Sequence, residues 1–122
     1  MTIVGLASIG HDLAPFHLPE RWYIWPLALV IYEFWYWVQH WAGHRVRLLW
    51  CIHSPHHAPK TINMMVGACH SPFEALFYFP FFFGFLPALC GVPLSMIIVI
   101  ALIDVVWGSF LHVSPHVVKR KY

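Results

Sequence analysis

The chain has 122 residues, 60% hydrophobic and only 10% charged, with a mean hydropathy of +0.66. A soluble domain is about 45–50% apolar and about 25% charged, so this is the composition of a membrane protein, one membrane domain over residues 1–122. The net charge of +2, with no basic run interleaved with aromatics, argues against nucleic-acid binding. Cys51, Cys69 and Cys90 are odd in number and widely spaced, which argues against a disulfide framework or an iron–sulfur site.

Taken in order, Thr2 to Ile9 is mildly apolar, too short to span a bilayer, and lacks the basic start of a signal peptide. His11, Asp12, Pro15, His17 and Pro19 read as an irregular segment at the membrane surface, and the two histidines as surface residues. Trp22 to Trp41 is the first candidate span, long enough for roughly 30 Å of hydrocarbon. Pro26 falls in its first turns, where proline is tolerated. Trp22, Tyr23 and Trp25 form one interfacial belt; Trp35, Tyr36, Trp37 and Trp41 form the other. Glu33 lies inside this span, two helical turns before His40 and on its face. An ionisable group at that depth normally faces the protein interior and has a function. Here that function is to orient a metal-bound histidine, with helix packing as the bland alternative.

The densest chemistry follows, as His40-x-x-x-His44 and then His53-x-x-His56-His57, five histidines in eighteen residues. Histidines four apart on a helix share a face, with Cβ atoms roughly 6 Å apart, which suits two imidazoles converging on one metal. Imidazole serves iron, zinc, copper and nickel, so the clustering alone does not choose the ion. Arg45, Arg47 and Lys60 mark this segment as the water side, and Pro55 stands where a helix could begin. Cys51 lies near the second cluster and reads as structural.

Thr61 to Cys69 is a connector, and His70-Ser71-Pro72-Phe73-Glu74 opens the next apolar run. Pro72 to Leu89 is rich in phenylalanine, with Pro80 and Pro87 expected to bend or end it. Gly91 and Pro93 mark a tight turn. Leu94 to Leu111 is a further apolar run containing Asp104, a second intramembrane carboxylate read like Glu33. The two runs make a hairpin that returns His112 to the face of His40 to His57. His112 is therefore a candidate ligand, while His116, four residues on but separated by Pro115, stays open. The expected architecture is an all-α helical membrane bundle of about three spans. Six of the seven Lys and Arg share the histidine face and only Arg21 lies opposite, which makes that face cytoplasmic in a bacterial inner membrane or the endoplasmic reticulum.

These residues resemble the fatty acid hydroxylase/sterol desaturase superfamily. Its alkylglycerol-monooxygenase-like branch carries an acidic residue seven before the first His, then H-x-x-x-H. A Trp stands three ahead of H-x-x-H-H, and an Asn or Asp eight before a later lone His. Glu33, His40, His44, Trp50, His53, His56, His57, Asp104 and His112 occupy those positions, and His70 to Glu74 resembles the family's His-Pro-hydrophobe-Glu segment. The resemblance covers roughly Trp22 to the end. Two departures stand out. Trp41 replaces the usual Arg after the first His, and the family's further H-x-x-H-H does not occur here. A fragment of a longer protein is the first expectation; a stand-alone chain with a degenerate site and ligands donated by another subunit are the others.

The resemblance implies a membrane oxidoreductase holding two non-haem iron ions on His40, His44, His53, His56, His57 and His112, with Glu33 and Asp104 supporting them. It implies O2-dependent hydroxylation or desaturation of a lipid or sterol C–H bond, with electrons from cytochrome b5 or a ferredoxin-like donor. Phe77 to Phe85 either lines an acyl tunnel or faces lipid and neighbouring helices. The rival readings are a non-catalytic membrane remnant and a haem-binding membrane electron carrier. A zinc hydrolase is weaker still, since H-E-x-x-H is absent.

Overall fold

In the computed structural model, residues 2–60 and 64–112 are described, and among them the chain is all helical without strands. The N-terminal residues form a helix, α1 (Ile3–Leu13), started by the Thr2 hydroxyl, which accepts the Gly5 N–H at 3.1 Å. The sequence shows only a short, mildly apolar stretch here. What makes it a packed element is a pair of glycines. A methyl group at Gly10 would lie 2.4 Å from the Phe85 carbonyl oxygen, and one at Gly84 would lie 2.6 Å from the Ile3 carbonyl oxygen. Backbone therefore meets backbone where α1 crosses the phenylalanine-rich segment.

A single 3-10 turn (Trp22–Ile24) leads into α2 (Trp25–Arg45), so the first candidate span begins about where expected but runs four residues past Trp41. Pro26 sits in its first turn, where a missing N–H costs no intrahelical bond. Val46 alone is extended, and α3 (Arg47–His57) starts directly after it. Pro55 lies inside α3 rather than at its start. It is tolerated because only the final turn remains, closed by the Ala58 N–H on the Pro55 carbonyl at 3.3 Å.

Pro80 and Pro87 do not end the next helix. It widens instead into two π-helical stretches, Glu74–Tyr78 and Pro80–Phe85, then continues as α4 (Leu86–Leu89). The Phe79 N–H reaches back five residues to Glu74, and Leu86 does the same to Phe81. Gly91, with φ of 81°, makes the turn, and Pro93 precedes α5 (Leu94–Leu111), whose limits coincide with the predicted span.

Ala7, Ala28, Tyr32, Phe83, Ala88, Val92, Met96, Ile97 and Ile100 form the core, gathered toward the Gly91 end. Beyond Ile100, α5 exposes Leu102, Ile103, Val105, Val106, Trp107, Phe110 and Leu111; α2 exposes Leu27, Leu29, Val30, Phe34, Trp37 and Trp41. Apolar surface on this scale marks contact with lipid or another protein. Among the described residues α5 is the one helix both long and apolar enough to cross a membrane by composition. The tryptophans, tyrosines, Glu33, Gln39 and histidines of α2 dilute its hydropathy, and Glu74–Leu89 is too short. The predicted three-span bundle is thus narrowed to an all-α fold with one clear membrane-capable helix.

Candidate metal centre

The two histidine clusters meet because α2 and α3 are joined by one residue and cross closely at Gly43. A methyl group there would lie 3.1 Å from the His53 ring carbons Cγ and Cδ2. Ligand nitrogens of His40, His44, His53 and His57 all fall within 4.8 Å of one another. The Nε2 atoms of His40 and His44 are 3.1 Å apart, and those of His53 and His57 are 3.2 Å apart. Two imidazoles bound at about 2.1 Å to one metal, at right angles, have nitrogens about 3.0 Å apart, so each pair already has the bite of two ligands on one ion. Trp50 stacks on His57 with ring centroids 5.7 Å apart and walls this side.

Hydrogen bonds fix which nitrogens are free. The His53 Nδ1–H donates to Glu74 Oε1 at 2.6 Å, leaving the Nε2 lone pair facing His57. His112 donates from Nδ1 to the Gly108 carbonyl at 2.7 Å, leaving Nε2 free. His56 lies between the groups, its ring 5.3 Å from His112 and 4.7 Å from His70. Its Nδ1 is buried without a hydrogen-bond partner among the described residues. An orphaned buried nitrogen is costly unless an ion or water completes it, which leaves His56 Nδ1 as an unengaged donor beside the four histidines.

Burial, then the neighbouring imidazoles His70, His57, His53 and His112, lower the His56 pKa to about 4. Burial likewise lowers that of His57, with His53 and His44 adding to the effect. Both rings are therefore neutral near pH 7, the state a metal ligand requires.

The carboxylates sit differently from expectation. Glu33 is exposed on α2, and among the described residues neither it nor Asp104 has a hydrogen bond to a histidine. Asp104 instead lines a cavity of about 550 Å³ together with His40, His53, His56 and His112. The carboxylate that meets the histidines is Glu74, wholly buried, with Gln39 of α2 beside it. His70 joins this group, but its Nδ1 faces Glu74 at 3.2 Å and its Nε2 faces the Gly67 carbonyl at 2.8 Å, so neither nitrogen is open to a metal. The i, i+4 spacing of His70 and Glu74 was the available signal for this pair. Cys51 is exposed beside Trp50, and His11 and His17 stack on each other at 4.3 Å. His116 lies outside the described residues.

The cavity runs from the histidines into the apolar half of the molecule, past Tyr36, Phe79, Phe83, Ala101 and Val105. The phenylalanine-rich segment divides: Phe79 and Phe83 line the cavity, while Phe77 and Phe81 are exposed outward. Histidines converging at the mouth of an apolar cavity provide a place for oxidative chemistry on a greasy substrate. The family model for fatty acid hydroxylases matches residues 25–122. The chain belongs to the fatty acid hydroxylase family. Membership supports a lipid hydroxylase- or desaturase-type oxidoreductase function, typically iron-dependent and membrane-associated, and the histidine cluster agrees with it. No solved structure matches the chain.

Proposed function

We propose that this fatty acid hydroxylase family member is a membrane-bound non-haem di-iron oxidoreductase that uses O2 to hydroxylate or desaturate a C–H bond of a lipid or sterol. One observation carries the reading: of four imidazoles whose nitrogens lie within 4.8 Å of one another, His40 and His53 also line an apolar cavity of about 550 Å³, within the size range of ligand sites. His40, His44, His53 and His57 would hold one iron, and His56 and His112 would contribute to the other. Such a pair supplies O2 activation and the oxidation of an unactivated C–H bond, with electrons from cytochrome b5 or a ferredoxin-like donor.

The chain's own part is placement and shielding. Neutral imidazoles bind metal without adding negative charge, and the His53 and His112 Nδ1–H bonds hold their rings with Nε2 turned inward. Phe79, Phe83, Ala101 and Val105 exclude water and accept a hydrocarbon chain. Asp104 and Tyr36 are among the polar groups in that wall and would bond a polar part of the substrate. In this reading α2, Pro72–Leu89 and α5 are the spans, and Arg45, Arg47 and Lys60 on the histidine side support a centre at the cytoplasmic surface, within reach of an electron donor.

A haem carrier fits less well. A haem would need only one or two of these histidines, whereas here four rings crowd one point. Metal analysis and the optical spectrum of detergent-purified protein, beside a His53→Ala/His56→Ala/His57→Ala variant, decide between these readings. About two irons per chain without a Soret band, lost in the variant, is the expected result. A strong Soret band, or metal retained by the variant, refutes it.

A further inference from the structure

Glu74 is wholly buried, and among the described residues its ion-pair partners are imidazoles rather than Lys or Arg. A carboxylate sealed in this way is costly unless every oxygen is engaged. Both are. Oε1 takes the short 2.6 Å bond from His53 and lies 3.5 Å from the Gln39 amide; Oε2 lies 3.2 Å from His70 Nδ1. The backbone beneath is pinned as well, since the Glu74 N–H donates to the Ser71 hydroxyl at 3.2 Å. Each oxygen serves a different half of the histidine group. His53 belongs to the four-histidine set, while His70 stacks flat on His56, with 7° between the ring planes.

We infer that Glu74 is a positioning residue for both metal sites, orienting His53 directly and His56 through the His70 ring. This rests on the di-iron reading above. Gly43 and Glu74 grip the His53 ring from two sides, so one rotation of it, with Nε2 turned to His57, satisfies both contacts. Removing the charge frees the ring to turn and weakens the acceptor that raises its basicity. His56, with an unpartnered Nδ1, depends on the His70 stack for its angle, so the same change reaches the second site.

The test is titration of the metal-free full chain in detergent with Fe2+ under anaerobic conditions and, separately, with Co2+ as a spectroscopic probe. Wild type is compared with Glu74→Gln and Glu74→Asp, and near-UV circular dichroism and the thermal midpoint of each metal-free protein are measured alongside. Glu74→Gln is expected to bind Fe2+ about 10–100-fold more weakly at both sites and to shift the Co2+ ligand-field bands. Glu74→Asp, which keeps the charge but withdraws it, is expected to fall between. A purely structural Glu74 would lower the thermal midpoint while leaving affinity within about twofold and the bands in place; that outcome overturns the inference and spares the di-iron reading. Should Glu74→Gln not fold, Glu74→Asp decides alone, by the same two readouts. A folded wild type that takes up neither metal overturns the di-iron reading and this inference together.

Discussion

His56 shows what a metal centre demands of a single side chain. Its ring is crowded by four other imidazoles, and burial holds its pKa at about 4 against an ordinary 6.5. Between those values the unfolded chain binds a proton that the folded chain refuses. Folding stability from this group is thus fully present above about pH 6.5 and is lost as pH falls toward 4; His57 is shifted in the same direction. The thermal midpoint of metal-free protein should fall between pH 7 and pH 4.5, and His56→Gln should flatten that slope. An equal slope in the variant would mean that His56 is solvated and titrates normally. Bound metal competes with the same protons, so iron content should drop over the same window, and iron unchanged at mildly acidic pH would count against an all-histidine site.

Helix crossings here are set by missing side chains. Gly10 and Gly84 let α1 lie directly on the π-helical segment, and any Cβ at Gly84 must push against the Ile3 carbonyl oxygen. Gly84→Ala should cost about 1–3 kcal/mol, the usual penalty for overpacking. Gly108 is the control, because a Cβ there meets nothing within 4 Å. Gly108→Ala should be neutral or stabilising by about 0.5–1 kcal/mol, as expected for removing a helix-interior glycine. Unfolding in detergent of both variants checks the contrast, and equal effects would mean that α1 is not docked. The same elements show what the sequence could reveal. The limits of α5, the turn at Gly91 and the convergence of the histidines followed from hydropathy, turn chemistry and i, i+4 spacing. Glu74 did not, since its bond to His53 joins residues 21 apart and depends on how the segment folds back. Glu33 satisfied the spacing rule and yet is exposed, because a two-turn offset fixes a helix face but not what packs against it. Nor does hydropathy report helix width, so the sequence offers a bend or an end at Pro80 where the backbone instead widens into a π-turn.

On the scale of the whole molecule, the apolar core gathers at the Gly91 end and the histidines at the other, with a cavity between. The outer surface exposes Leu102, Ile103, Val105 and Val106 of α5 along with Val30, Phe34 and Trp37 of α2. A bilayer would cover these residues with hydrocarbon, and the cavity between the helices would then receive substrate sideways from the lipid. The cysteines test this arrangement without any added label site. Cys51 and Cys69 are exposed beside the histidines, whereas Cys90 adjoins the Gly91 turn at the other end. In sealed inverted vesicles, a membrane-impermeant maleimide should modify Cys51 and Cys69 and leave Cys90 unmodified until detergent opens the membrane. Right-side-out vesicles should give the opposite pattern. All three cysteines reacting from one side would place the hairpin of Glu74–Leu89 and α5 at the surface rather than across the membrane. The histidine centre would then meet its substrate at the lipid headgroups instead of through the apolar wall.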